Sequence, residues 1–90
     1  MKNTHEIFLI SDSTGETIDR IFTALKAQFK DFSYKTQQFS FTRTENQIST
    51  ILNNAKEQES PIILYTVVNS KLAKFLAEEA NKKKIPCFGV

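Results

Sequence analysis

Seven consecutive residues, Ser11-Asp12-Ser13-Thr14-Gly15-Glu16-Thr17, gather the densest set of reactive and ligand-binding groups in the chain. They follow an apolar run and lead into a helical pattern. Backbone N–H groups at a helix start form an anion site by geometry, and Ser13, Thr14 and Thr17 add hydroxyl donors. Gly15 lets a ligand approach the backbone closely. The same residues also have a purely structural explanation. Ser13 with Glu16 three residues on makes a capping box, and Gly15 suits a tight strand-to-helix turn. Asp12 opposes a phosphate at the mouth of the loop, unless it ligates a metal–phosphate or serves as a base; the sequence leaves these roles open.

Several sharper motifs are absent. Gly15 and Gly89 are the only glycines, so neither GxxxxGK[ST] nor GxGxxG exists. A phosphoacceptor receiver domain wants an aspartate ending its third strand, where this chain has Tyr65-Thr66. The stretch from Asp12 to Thr17 partly matches the flavodoxin phosphate loop T-x-T-G-x-T. Asp12 replaces the first threonine there, and the chain has no tryptophan to stack on a flavin. Cys87 and His5 are the single cysteine and histidine, which leaves no disulfide within the chain and no four-thiolate metal site. Cys87 reads as a buried small hydrophobe.

The elements that position the loop follow from periodicity. Ile7-Phe8-Leu9-Ile10 is too short for a helix and reads as a strand buried on both faces. Ile18, Ile21, Phe22, Leu25 and Phe29 keep the spacing of one helix face, predicting a helix from about Thr14 to Phe29. Tyr34 to Phe41 alternates, with Phe39 and Phe41 on one face and Thr36, Gln38 and Ser40 on the other, as a half-exposed edge strand does. Thr44 and Gln47 form a second capping box ahead of Ile48, Ile51, Leu52 and Ala55, a helix reaching about Glu57.

Pro61 opens a third, central strand, Ile62 to Val67. Asn69 or Ser70 caps a third helix that turns Leu72, Ala73, Phe75, Leu76 and Ala80 inward. Lys82, Lys83 and Lys84 lie on its last turn, where positive charge complements the helix dipole. Cys87 to Val90 looks like part of a fourth strand.

Alternating strands and helices imply an open parallel α/β sheet with right-handed crossovers, βαβαβαβ, Rossmann-like or flavodoxin-like in shape. Central first and third strands with an edge-like second strand give the order 2-1-3-4. The switch point then lies between strands one and three, and ligands bind outside the carboxyl ends of strands at such points. The candidate anion- or ligand-binding residues are therefore Ser11, Asp12, Ser13, Thr14, Gly15 and Thr17, facing Thr66 and Asn69. Arg43, near the carboxyl end of strand two, is a candidate phosphate clamp, whereas Arg20 reads as solvated.

Ninety residues make one small domain, 40% hydrophobic and 24% charged, an ordinary globular composition. The net charge of +2 is scattered, which argues against nucleic acid or an anionic membrane as partner. No apolar run approaches the roughly 20 residues of a membrane span, and no signal peptide is evident. A cytoplasmic location is expected. An exposed fourth-strand edge around Phe88 and Val90 suggests self-association into a homo-oligomer.

Ile7 to Thr17 resembles the opening of one family, the regulatory proteins of pyruvate, phosphate dikinase and of phosphoenolpyruvate synthase. Their chains begin with a strand, then S-D-S/G-T-G-x-T, then a helix, and the likeness continues through Arg43-Thr44 and Pro86-Cys87. The resemblance implies a bifunctional enzyme that phosphorylates a threonine of the dikinase or synthase with a nucleotide, ADP or ATP. It also implies removal of that phosphate by phosphorolysis with inorganic phosphate. The family's nucleotide phosphate loop lies well downstream, and no residue of this chain matches it. The chain is thus expected to be the N-terminal module of a longer protein, with no catalytic residue or cofactor of its own. A free-standing flavodoxin-like anion- or cofactor-binding module and a non-catalytic docking module are the alternatives.

Overall fold

The computed structural model describes residues 4–27 and 33–89. Four strands alternate with three helices: β1 (Thr4–Ser11), α1 (Glu16–Lys26), β2 (Ser33–Phe39), α2 (Glu45–Lys56), β3 (Pro61–Thr66), α3 (Ser70–Lys82) and β4 (Cys87–Gly89). The sheet order is β2-β1-β3-β4, and every pairing is parallel. Both match the order and the parallel pairing that the sequence implies.

The apolar run of β1 is explained by what lies on each face. Ile7 and Leu9 point toward α1 and pack with Ile18, Phe22 and Leu64. Phe8 and Ile10 point the opposite way, into a larger cluster with Ile48, Leu52, Ile63, Leu76 and Ala80 from β3 and from α2 and α3. Strand residues alternate faces, so a strand covered on both sides must be apolar at every position. Each of these fully buried large side chains contributes about 1.5–3 kcal/mol relative to exposure. On the α1 face the Phe22 and Tyr34 rings meet edge-on at 5.5 Å. On the other, Phe8 and Phe39 stack at 5.9 Å.

Some boundaries differ from the periodicity. The first helix starts at Glu16 rather than Thr14, because Gly15 takes a left-handed backbone (φ 89°) at the N-cap position. The Ser13–Glu16 capping box is not formed, and α1 has no side-chain cap. The second strand stops at Phe39, not Phe41. Phe41 is itself left-handed (φ 55°) and half exposed, so it does not share the face of Phe39. The third strand opens at Pro61 as expected and ends one residue earlier, at Thr66. Phe29 and Val90 lie outside the described residues.

The other two helix starts behave as their sequences dictate. Thr44 Oγ1 accepts from the Gln47 N–H at 3.1 Å while Gln47 Oε1 accepts from the Thr44 N–H at 3.0 Å, a complete capping box. Asn69 Oδ1 accepts from the Leu72 N–H at 3.1 Å. At its far end α3 closes in a Schellman motif. The Ile85 N–H donates to the Ala80 carbonyl at 2.9 Å and the Lys84 N–H to the Asn81 carbonyl at 3.0 Å. Lys84 occupies the left-handed position (φ 59°) that glycine usually fills. Of the lysine run, Lys82 and Lys83 reach back to Glu79 at 3.0 and 3.8 Å. These are solvated helix-end pairs, and the bond from Lys82 holds the Glu79 carboxyl below its ordinary range.

Candidate functional site

The loop from Ser11 to Gly15 leaves the carboxyl end of β1 and is clamped from both sides. On the β2 side, the Thr42 N–H donates to the Ser11 carbonyl and the Phe41 N–H to the Ser13 carbonyl, both at 2.9 Å. Ser40 Oγ donates to the Thr14 carbonyl at 2.9 Å, and Gln38 Nε2 to the Gly15 carbonyl at 3.2 Å. Thr42 is buried, and its hydroxyl donates to the Phe39 carbonyl at 3.2 Å. The left-handed backbone at residue 15 favours glycine, and a side chain there would also have to displace the flexible end of Gln38 from the Gly15 carbonyl.

On the β3 side, Asp12 bridges the switch point. Its N–H lies 3.4 Å from the Thr66 carbonyl, and its Oδ2 accepts from the Val68 N–H at 2.8 Å. The carboxylate is therefore aimed at the β3–α3 loop, away from the start of α1. Arg43 completes the arrangement from the start of α2. Its Nε donates to the Asp12 carbonyl at 3.0 Å, and its guanidinium lies 5.2 Å over the Phe41 ring. The Arg43 N–H in turn donates to Gln47 Oε1 at 2.7 Å, and Gln47 Nε2 donates to the Phe41 carbonyl at 3.3 Å.

Within the loop, the Ser13 N–H donates to Ser11 Oγ at 3.1 Å, and the two serine hydroxyls lie 3.3 Å apart. The Glu16 N–H meets Thr14 Oγ1 only at 3.5 Å. The first turn of α1 thus presents N–H groups that no side chain caps, beside exposed Ser13 and Thr14. Glu16 and Asp19 in the same turn bring negative charge near it.

Of the residues singled out in the sequence, the fold gathers Ser11, Asp12, Ser13, Thr14, Gly15, Arg43 and the Thr66 backbone into one hydrogen-bonded unit. Thr17 lies one residue into α1 and is exposed. Asn69 uses its side-chain oxygen on α3 itself. Sequence reasoning passed over Gln38, Ser40, Phe41, Thr42, Gln47 and Val68. The alternation of Gln38 and Ser40 with Phe39, combined with the order 2-1-3-4, places their side chains beside the β1 loop. That was the available signal. Among the described residues no cluster of three or more histidine, cysteine or acidic side chains could hold a metal ion. None of the described helices is long and apolar enough to cross a membrane.

An all-parallel sheet with helices on both faces and a polar loop crevice at its switch point defines a doubly wound α/β domain. The chain belongs to the kinase/pyrophosphorylase family, whose model matches residues 7–90. It is 59% identical over 90 residues to a protein of Pelagibacter ubique (strain HTCC1062), covering all of this chain and 33% of that one. It is 40% identical over 79 residues to a protein of Geotalea uraniireducens, covering 88% and 29%. Over 80 residues it is 41% identical to a protein of Alkaliphilus oremlandii, covering 89% and 28%. All three carry the provisional name pyruvate, phosphate dikinase regulatory protein. The chain spans about a third of their length or less.

Proposed function

We propose that this domain forms the N-terminal part of a regulatory protein acting on pyruvate, phosphate dikinase or phosphoenolpyruvate synthase. The whole protein phosphorylates a threonine of the target with ADP or ATP and removes that phosphate by phosphorolysis, releasing pyrophosphate. The family match across residues 7–90 carries the proposal, and the names of the relatives favour the dikinase as target. The domain's own share is to bind and present, since none of its residues supplies a nucleotide phosphate loop. The test joins residues 1–90 to the remainder of the Pelagibacter ubique relative. With radiolabelled nucleotide the chimera should label the dikinase on threonine, and with inorganic phosphate it should release pyrophosphate. Residues 1–90 alone should do neither. Label transfer by residues 1–90 alone, or a silent chimera beside an active relative, would overturn the proposal.

The loop at the start of α1 is proposed to hold a phosphate or pyrophosphate weakly. A helix N-terminus contributes roughly 0.3–1 kcal/mol to holding an anion, whereas millimolar affinity needs about 4 kcal/mol. Hydrogen bonds must supply the difference, and two charge-assisted bonds at roughly 1.5–3 kcal/mol each suffice. The exposed Thr14 hydroxyl, the Ser13 hydroxyl if it turns from Ser11, and the uncapped N–H groups are the donors within reach. An NMR titration with phosphate should shift the amides of Ser13 to Thr17. Signals that stay fixed at tens of millimolar would reduce the loop to a helix start.

A further inference from the structure

The two faces of the sheet are unequally covered. Strands lie about 4.8 Å apart and packed helices about 8–10 Å apart, so four strands take two helices on each face. One face has its pair, α2 and α3, over Phe8, Ile10 and Ile63. Among the described residues the other face has α1 alone, packed on β1 and β3. Beside α1 lies an open groove of about 390 Å³. Ile7, Ile62, Leu64 and Phe88 floor it across three strands, and Phe22 and Leu25 of α1 form its wall. Phe88 is paired in register with Leu64, which turns its side chain onto this face, and it is 55% exposed there.

The groove presents only apolar surface. A small-molecule site carries a few polar groups that orient its ligand, and none is offered here. A second copy of the chain needs roughly 20–30 residues a side for a stable interface, whereas eight line the groove. A helix needs only one apolar stripe. Right-handed connections say where that helix comes from. After β2 the chain doubles back across the sheet, so the crossovers to β3 and to β4 both carry their helices on the far face. A fifth strand beside β4 would be reached by a helix on that same far face. The helix after it is the first that right-handed winding brings to the α1 side. This chain covers 33% of the Pelagibacter ubique relative, which leaves ample length for both elements.

We infer that this groove seats an amphipathic helix from the remainder of the longer protein, the one that follows a fifth strand beyond β4. It lies parallel to α1 and covers Ile62, Leu64 and Phe88. The source of the helix rests on the reading of this chain as the N-terminal part of a longer protein, while the groove itself rests on the geometry.

The test is thiol labelling of Ile62→Cys and Phe88→Cys, each with Cys87→Ser, in dilute solution. Both are compared in the 90-residue chain and in the chimera with the remainder of the Pelagibacter ubique relative. Each thiol should react readily in the 90-residue chain and about tenfold more slowly in the chimera. Equal rates in the two proteins would overturn the inference. Protection of Phe88→Cys alone would do the same, because a strand added beside β4 reaches that edge without covering Ile62 on β3. Protection of Ile62→Cys in the 90-residue chain that grows with concentration would give the face to a second copy and also overturn it. Should the chimera not fold, cysteine at the position aligned with Ile62 in the intact relative decides the matter: labelling as fast as in the 90-residue chain refutes a covering helix. None of these readouts needs phosphotransfer. A chimera silent towards the dikinase can still protect the groove, and an active one can leave it open, so the two readings fail separately.

Discussion

The carboxylate of Asp12 and the backbone N–H of Val68, 56 residues apart, meet at 2.8 Å across the switch point of the sheet. This single bond ties the loop after β1 to the loop after β3. It also settles which way the negative charge at the crevice mouth is directed. Asp12→Asn retains an acceptor for Val68 while removing the charge, so phosphate affinity should rise with little loss of stability. Asp12→Ala removes the acceptor and should cost about 1–2 kcal/mol, measured by urea denaturation. Unchanged phosphate binding in Asp12→Asn would show that the charge lies too far from the anion to matter.

The helix starts should respond unequally to alanine. Thr44→Ala and Asn69→Ala each remove a working cap and should lose about 1 kcal/mol. Ser13→Ala, despite its capping-box sequence, should stay within about 0.5 kcal/mol, because α1 is not capped by a side chain. Equal losses at Ser13 and Thr44 would contradict the assignment of Gly15 as the N-cap.

Two left-handed positions should give opposite signs. Gly15→Ala places a side chain against Gln38 and Ser40 on a backbone that costs a non-glycine residue about 1–2 kcal/mol. It should be destabilised by at least that amount in chemical denaturation. Lys84→Gly relieves the same backbone cost at the end of α3 and should gain up to about 1 kcal/mol.

Burial pushes the Cys87 thiol from its ordinary 9.0 up to about 11. The folded state holds this proton more tightly than the unfolded chain does. The resulting stabilisation is complete below about pH 9 and is lost as the pH rises toward 11. Thiol-specific labelling at about pH 8 should therefore be slower than in denaturant. Cys87→Ser should flatten the alkaline fall in stability. Cys87 is partly buried rather than fully enclosed, and labelling as fast in the folded as in the unfolded protein would contradict that placement.

Phe88 is half exposed on the short edge strand β4. Edges of this kind recruit a second strand, so the chain is expected to self-associate at high concentration, with Phe88→Lys restoring a monomer. Sedimentation velocity distinguishes these outcomes, and a wild-type monomer throughout would remove the edge from consideration.

The fold was legible because its causes are local and repetitive. The uninterrupted run from Ile7 to Ile10 announces a strand covered on both faces, and the polar alternation of β2 against the apolar β1 and β3 orders the sheet. The site was legible only in part. Ser13 and Glu16 satisfy the capping pattern, yet the left-handed turn at Gly15 moves the helix start past them. The Ser13 carbonyl and hydroxyl then go to Phe41 and Ser11 instead. Gln38 and Ser40 hold the loop from more than twenty residues away, a relationship set by strand order and not by neighbouring residues. Nothing adjacent marks Thr42 as buried or Val68 as the partner of Asp12.

A wholly parallel sheet with crossover helices has one further effect. All three helices run opposite to the strands, so their dipoles add instead of cancelling as they would in an antiparallel bundle. At about 3.5 D per peptide, three helices of 11, 12 and 13 residues sum to on the order of 100 D. The positive pole emerges at the edge where Ser13, Arg43 and Val68 sit. Although its side chains carry little net charge, the domain behaves as an oriented electric vector. An approaching polyanion feels a torque that turns this edge toward it before any contact forms.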